Sequence, residues 1–292
     1  MTTHDSPEDA KFKQFWAELF GRSAATFDRV GPMFFSHFGG RLVELARVPK
    51  GARVLDIATG RGAILFPAAE AVGPKGCAIG IDLSAPMVHQ TAMEIEQRGL
   101  TNAEVHCMDA EQLQFPEESF DYVLCGLSIF FFPQLERALA EMRRVLEPGG
   151  VIGATTFWHD DERWKWLGDL FKKYLPQPSE DETTAEDEEE TPQPDFSSQA
   201  GMEAVMKSAG FADIRVVGEE LGFIYQDEEA WWASLWSHGM RARLEKIERT
   251  AGREALQHFK AEAFRILQNQ KQADGFQQMW SVLFTLATKP LD

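Results

Sequence analysis

The chain has 292 residues, 44% of them hydrophobic, enough apolar surface for one large core, either as a single domain or as a domain with an elaborate cap. Its formal net charge of −17 excludes nucleic acid as a partner, because phosphate binding needs a basic surface, and the body stays acidic when the eight acids between Glu180 and Glu190 are set aside. No apolar run is long enough to span a bilayer and Met1–Lys13 lacks an apolar signal core, so the expectation is a cytoplasmic protein without stable membrane insertion.

Between residues 7 and 20, Phe12, Phe15, Trp16, Leu19 and Phe20 recur at helical spacing, which predicts an amphipathic packing helix. An aromatic stretch follows from Phe27 to Phe38, broken by Gly31 and Pro32 before a second helix to about Arg47. The segment Arg53–Leu65 then reads as a strand, a glycine turn and a helix. Val54, Leu55 and Ile57 suit a strand buried on both faces, and Gly60 and Gly62 let the backbone turn tightly and approach a ligand. A dinucleotide fingerprint needs a third small residue where this chain has Leu65, and the carboxylate of Asp56 would repel a pyrophosphate. A cationic ligand fits the turn better.

Strand and helix now alternate, as a doubly wound α/β domain requires. Strand two, Cys77–Asp82, ends in an acid, as strand one does at Asp56, and strand-end residues in such sheets face the ligand crevice. A helix over Pro86–Arg98, a strand over Glu104–Cys107, and Asp109 with Ala110 come next. Strand four is Phe120–Leu127 and strand five Gly150–Phe157, joined by a helix over Leu135–Leu146. Cys77, Cys107 and Cys125 lie singly in these strands, without metal-ligand spacing, and are expected to be buried small apolar residues.

Seven of the eight tryptophans lie beyond residue 150, so aromatic surface is concentrated in the second half. The acidic tract 177–195 reads as a disordered loop. A helix over Gln199–Ala209, a strand over Ile214–Leu221 and a last strand over Trp280–Thr288 resume the α/β pattern. Two helices, about Glu228–Ile247 and Gly252–Gln270, stand where a hairpin would suffice, and we read residues 226–275 as a substrate cap.

The turn resembles motif I of the class I S-adenosylmethionine-dependent methyltransferases, here Asp56-x-Ala58-x-Gly60-x-Gly62, and Ala58 is similar to what the ubiquinone/menaquinone methyltransferase-like branch often carries. The resemblance covers residues 52–157. It implies a Rossmann-like seven-stranded sheet of order 3-2-1-4-5-7-6 with strand 7 antiparallel, an N-terminal helical lid over residues 1–50, a methyltransferase domain over 51–292, and S-adenosyl-L-methionine as cofactor. By the same resemblance the turn Ala58, Thr59, Gly60, Arg61 and Gly62 cradles the methionine end, where helix-start N–H groups meet its carboxylate and Asp56 helps hold its ammonium. Asp82 accepts from both ribose hydroxyls. Leu83 and Met87 flank the adenine, Asp109 and the Ala110 N–H meet its edge, Gly126 and Leu127 close strand four at the cofactor, and Phe27 touches it where the family often has Tyr.

The acceptor is less determined. His37, His159 and His238 are the candidate general bases, since histidine suits proton removal near neutral pH, and Trp231, Leu235 and His238 share a helix face. Asp160 and Asp161 lack a third ligand, so no metal site is expected. There is no N/D-P-P-Y/F/W motif after strand four, where Cys125-Gly126-Leu127-Ser128 stands, and no Pro-Cys nucleophile, so an adenine or glutamine amino group and a cytosine carbon are set aside. Oxygen, carbon or nitrogen of a small aromatic or prenyl-like metabolite is left, with a homo-oligomer open. A cofactor-binding protein of this fold that transfers no methyl, as a regulator or rearrangement catalyst, is the alternative, ahead of a nicotinamide-dependent dehydrogenase.

Overall fold

The computed structural model describes residues 5–175 and 194–291. The sheet is built outward from β1 (Arg53–Ile57), whose Val54, Leu55 and Ile57 have no exposed surface because helices cover both faces. β1 pairs in parallel with β2 (Cys77–Asp82) and β4 (Phe120–Gly126), β2 with β3 (Ala103–Cys107), and β4 with β5 (Leu146–Phe157). β7 (Phe276–Thr288) inserts antiparallel between β5 and β6 (Ala212–Tyr225), giving the expected order β3-β2-β1-β4-β5-β7-β6. The chain reverses direction across the sheet at β1 and β4, and the crevice beyond their carboxyl ends is where such sheets bind ligands.

One apolar layer packs Leu139, Met142 and Val145 of α5 (Leu135–Val145) and Met202 and Met206 of α7 (Gln199–Ser208) on one face of the sheet. The other packs Phe38 and Leu42 of α2 (Phe34–Ala46) and Leu65, Ala68 and Ala69 of α3 (Leu65–Val72) on the opposite face. α4 (Ala85–Gln97) links β2 to β3. α2 lies so close to the glycine turn that a Cβ on Gly39 would stand 2.4 Å from the Ala63 carbonyl oxygen, so only glycine fits there.

β5 ends at Phe157, opposite Val282, while the β6–β7 hairpin continues to the pair Tyr225 and Phe276. That overshoot carries a third apolar cluster above the sheet, formed by α6 (Lys165–Tyr174), α8 (Glu228–Trp236) and α9 (Arg241–Gln268) around Trp164, Phe171, Trp231 and Phe259. Two boundaries differ from the sequence reading. The first cap helix stops at Trp236, because Ser237, His238 and Gly239 turn the chain and the Ser237 hydroxyl donates to the Ser234 carbonyl oxygen at 2.7 Å. The second starts at Arg241 and bends at Gly252, whose φ of 88° breaks the helix. α6 was not anticipated, since its apolar face is short and its flanks merge with the tryptophan-rich segment.

Of the three cysteines only Cys125 is buried. Cys107 is exposed because β3 is the edge strand and Cys107 closes it, and Cys77 is half-buried at the start of β2. The expected acidic loop 177–195 falls outside the described residues up to 193; Asp195 is exposed and accepts from the Ser197 and Ser198 hydroxyls. Among the described residues no helix is long and apolar enough to cross a membrane.

α1 (Pro7–Ser23) starts on a capping box in which the Ser6 hydroxyl accepts from Asp9 N–H and the Asp9 carboxylate accepts from Ser6 N–H. At its far end the Arg22 guanidinium pairs with Glu245 at 2.7 Å, and the Arg241 guanidinium donates to the Arg22 carbonyl oxygen. Midway, the Lys13 ammonium reaches Asp109 at 2.8 Å and Glu111 at 2.6 Å. α1 therefore ties the ends of the strands to the cap.

Candidate functional site

A cavity of about 660 Å³ opens between the carboxyl ends of the strands, α1, α2 and the cap. One end is polar and built on strand-end acids. Asp56 is buried, and one oxygen accepts from the Thr59 hydroxyl at 2.6 Å and from the Leu65 N–H at 2.9 Å. It thus holds the turn against the start of α3, where the helix dipole favours a negative charge. Burial pushes its carboxyl up to about 7, against those two hydrogen bonds and with a smaller push from Asp82. The turn has positive φ at Ala58 (53°), Gly60 (51°) and Gly62 (79°). Ala58, Thr59 and Gly60 line the cavity, whereas Arg61 and Gly62 do not.

Arg61 turns away from the ligand side: its guanidinium donates to the Ala24 carbonyl oxygen at 2.6 Å and pairs with Glu94 at 3.0 Å, pinning the α1–α2 connection and α4 to the turn. Gly62 serves close packing, since a Cβ there would meet the Phe66 ring at 2.5 Å. Both belong to the frame of the turn, because its backbone reverses after Gly60.

Asp82 closes β2, with one oxygen accepting from Gly60 N–H and the other from Ser84 N–H, both at 2.8 Å. Burial raises its pKa above the usual carboxylate range, and those two bonds oppose the rise. Each oxygen keeps a second lone pair for a ligand hydroxyl. Leu83 and Met87 line the cavity, as do Asp109 and Ala110 after β3 and Gly126 and Leu127 at the end of β4. Asp109 carries a contact the sequence did not reveal: one oxygen takes Lys13 and the other the Glu111 N–H at 2.9 Å. Asp5, Asp109 and Glu111 converge as a metal site would, but the Lys13 ammonium sits among them and pairs with all three, and Asp5 also pairs with the Arg137 guanidinium at 3.0 Å. Burial pulls the Lys13 pKa down, yet the bonds to Asp109, Asp5 and Glu111 outweigh it and the ammonium is held above its usual range.

The other end is walled by a closed ring of aromatic side chains, each lining the cavity and each touching the next. Phe27 packs on Phe35 with ring centroids 4.6 Å apart, Phe35 on Phe34 at 4.2 Å, and Phe34 stacks on Trp280 at 4.1 Å. The ring continues through Phe157 at 5.6 Å and Phe130 at 5.8 Å to Phe131 at 4.8 Å. Phe20 closes it, 5.5 Å from Phe131 and 5.9 Å from Phe27. Phe27 also touches the turn, since a Cβ on Gly60 would lie 3.7 Å from its ring. Centroid spacings of this kind are favourable edge or offset contacts.

The three histidines separate. His37 is exposed, packs its ring against Phe223 at 5.7 Å and does not line the cavity, because α2 presents Phe34, Phe35, Phe38 and Gly39 to it instead. His159 lines the cavity at its exposed rim beyond β5. His238 lines it from the turn between α8 and α9 and is 7% exposed. Burial lowers its pKa to about 4.

These features coincide with what known proteins show. Residues 54–150 match the family model described as a methyltransferase domain. The chain is 40% identical over 170 residues to the aklanonic acid methyltransferase DauC of Streptomyces sp. (strain C5), covering 58% of this chain and 77% of that protein. It is 34% identical over 235 residues to the nocamycin O-methyltransferase of Saccharothrix syringae, covering 79% of this chain and 84% of that protein. The chain belongs to the S-adenosylmethionine-dependent methyltransferases. The fold of this methyltransferase is similar to that of YcgJ from Bacillus subtilis, with a TM-score of 0.55 at 18% identity over 87% of this chain and 98% of that one.

The methyltransferase uses S-adenosylmethionine on a small molecule, and the polar end of its cavity fits that cofactor: an acid at a positive-φ turn, a second acid with free lone pairs, and the apolar Leu83 and Met87 in the lining. Sequence reading missed Lys13 and most of the aromatic ring. The run Phe130-Phe131-Phe132 directly after strand four was a signal that could have found part of it.

Proposed function

We propose that this methyltransferase moves a methyl group to an oxygen of a flat, largely apolar ring compound. The chain of contacting aromatic side chains that lines the cavity carries this reading, since aromatic faces suit a planar ligand. Oxygen is favoured over carbon and nitrogen because the relative that matches most of this chain is named an O-methyltransferase. A prenyl-like tail would find fewer partners than a ring system here. Cytoplasmic residence is part of the reading, supported by three free cysteines.

When bound, S-adenosylmethionine supplies an electrophilic methyl on a sulfonium. The chain's own residues then divide the work. The N–H groups of the turn at Ala58–Gly60 meet the methionine carboxylate and Asp56 its ammonium. Asp82 holds the ribose, Leu83 and Met87 the faces of the adenine, and Asp109 with Ala110 its edge. Gly126 and Leu127 form the floor, and Phe27 covers the turn. α1 and the cap act as lid and roof, excluding water and holding the acceptor in line.

The test is incubation with S-adenosylmethionine and a panel of phenols, quinols, carboxylic acids and amines, read by product mass. An oxygen-bearing ring compound that gains one methyl group is the expected outcome, and methyl gain by amines alone would reject oxygen.

The position of Asp56 sets a pH dependence. Its carboxyl, raised to about 7, must be ionised to pair with the cofactor ammonium. Binding therefore strengthens as pH rises through that value, and S-adenosylhomocysteine should bind about tenfold more weakly near pH 6 than near pH 8. Calorimetry on the wild type and on Asp56→Asn checks this, the variant giving a flat profile.

A further inference from the structure

The Gly60 backbone is gripped on both sides of its Cα. Its φ of 51° is a conformation that glycine enters and leaves with little steric penalty, and it has no side chain by which the fold could hold it. Only its N–H and its carbonyl can be fastened. The N–H donates to Asp82 at 2.8 Å, and the carbonyl oxygen accepts from the Thr91 hydroxyl of α4 at 2.7 Å. Gly60 and Asp82 both line the cavity. Thr91 is not part of the lining and has no exposed surface, so its hydroxyl serves the turn and meets no ligand.

Threonine is a poorer helix former than alanine or leucine, and inside a helix its hydroxyl commonly turns back to the carbonyl one turn earlier. The Thr91 hydroxyl instead leaves the helix for Gly60, 31 positions away in sequence. The same stripe of α4 carries further attachments. Met87, one turn before Thr91, lines the cavity. Glu94, about one turn after it, accepts from the Arg61 guanidinium at 3.0 Å and from the Arg29 guanidinium at 2.6 Å. Thr59, by contrast, is fastened to the sheet, with its N–H donating to the Ile81 carbonyl oxygen at 2.8 Å and its hydroxyl to Asp56. The strands therefore hold the first half of the turn, and α4 holds the second.

We propose that Thr91 is a positioning residue for the amino-acid end of the cofactor, acting through the Gly60 carbonyl that its hydroxyl holds. The proposal rests on the reading that the turn meets the methionine carboxylate of S-adenosylmethionine. Each peptide unit is planar, so Asp82 fixes the plane before the Gly60 Cα and Thr91 fixes the plane after it. With both planes held, φ and ψ of Gly60 are set before the cofactor arrives. Without the Thr91 hydroxyl, the plane after Gly60 is free to turn over, because glycine has no Cβ to oppose it. The carbonyl oxygen then faces the side on which the methionine carboxylate binds, and the two oxygens repel. The adenosine end does not depend on this plane, since Asp82 keeps its bonds from the Gly60 and Ser84 N–H groups.

The experiment is calorimetry on the full chain with two probes, S-adenosylhomocysteine and methylthioadenosine, which keeps the adenosine and lacks the amino-acid end. Thr91→Val keeps the shape of the side chain and loses the donor; it should weaken S-adenosylhomocysteine about tenfold and methylthioadenosine by no more than about twofold. Thr91→Ser, which keeps the hydroxyl, should bind S-adenosylhomocysteine within about twofold of the wild type. A general loss of stability would weaken both probes alike, and thermal unfolding of each variant measures that loss separately. If Thr91→Val does not fold, Thr91→Ala against Thr91→Ser gives the same contrast, with alanine expected to show the selective loss. Equal losses for the two probes, wild-type affinity without the hydroxyl, or a serine variant as weak as the valine or alanine one would overturn the proposal. Asp82→Ala keeps the two readings apart. Both probes should weaken in it, and failure of the wild type to bind either probe, or no change in Asp82→Ala, removes the cofactor reading of this end. Loss of both probes in Asp82→Ala with none in Thr91→Val removes only the role of Thr91.

Discussion

Asp82→Ala should weaken S-adenosylhomocysteine binding by about 100-fold or more. In the folded protein this carboxylate already accepts one backbone N–H on each oxygen, at 2.8 Å from Gly60 and from Ser84, so its plane and both remaining lone pairs are held in place before any ligand arrives. Two ribose hydroxyls would meet it with no rearrangement. Hydrogen bonds to a charged group contribute about 1.5–3 kcal/mol each, so loss of the pair removes roughly 3 kcal/mol or more, and about 1.4 kcal/mol is tenfold in affinity. Some of the loss comes through the turn, because Gly60 is released from β2. Asp82→Asn distinguishes the two routes: it keeps the side chain's shape and one acceptor oxygen, so it should bind more tightly than the alanine variant and more weakly than the wild type. Calorimetry gives the affinities, and an affinity for Asp82→Ala within a few-fold of the wild type would exclude the ribose role.

Lys13→Met should destabilise the protein by about 3 kcal/mol, a large fraction of a typical domain's stability. Lys13 is 9% exposed, and its ammonium is the positive centre for Asp5, Asp109 and Glu111, of which the Glu111 side chain is fully buried. Removing the cation while leaving the carboxylates strands charge in a poorly solvated pocket. Glu111 also accepts from the Gln134 N–H at 3.0 Å, so it cannot swing out to water without loosening the chain ahead of α5. Chemical denaturation measures the loss. The double variant Lys13→Met with Glu111→Gln should recover part of it, since one uncompensated charge is then gone, and a simple sum of the two single effects would argue against the pairing. Because α1 also carries Phe20 of the aromatic ring and Trp16 packed against Phe20 and Phe131, the variant should lose acceptor binding along with cofactor affinity.

The arrangement couples the two ends of the cavity through one helix. α1 touches Asp109 at the polar end through Lys13, the aromatic end through Trp16 and Phe20, and the cap through Arg22. A ligand that shifted α1 from one end would change what the other end offers, and such a linkage is reciprocal by thermodynamic necessity.

How much of this was legible beforehand depends on distance along the chain. The glycine turn, the strand-end acids Asp56 and Asp82, and Asp109 were readable because local pattern creates them: a buried strand must be apolar, a tight turn must accept positive φ, and a strand's last residue must face the crevice. Those constraints act within about ten residues, so the amino-acid order alone determined the α/β alternation and the polar end of the cavity. Arg61 and Gly62 were assigned to the ligand because they share the motif, yet the direction of the Arg61 side chain depends on what lies behind the turn, here Ala24 and Glu94, and Gly62 is glycine where the Phe66 ring leaves no room for a Cβ.

What only the tertiary structure decided lies between elements far apart in sequence. Lys13 meets Asp109 across 96 positions, and the aromatic ring gathers side chains from α1, α2, the ends of β4 and β5, and β7. No local pattern encodes such a meeting, because each phenylalanine or tryptophan taken singly is equally well explained as core. The histidines make the same point: three were equivalent in the sequence, and packing sent His37 outside the cavity, left His159 at the rim, and buried His238 with one nitrogen engaged and the other without a partner among the described residues. Burial and hydrogen bonding set the proton affinity of an imidazole, and both are properties of the assembled fold.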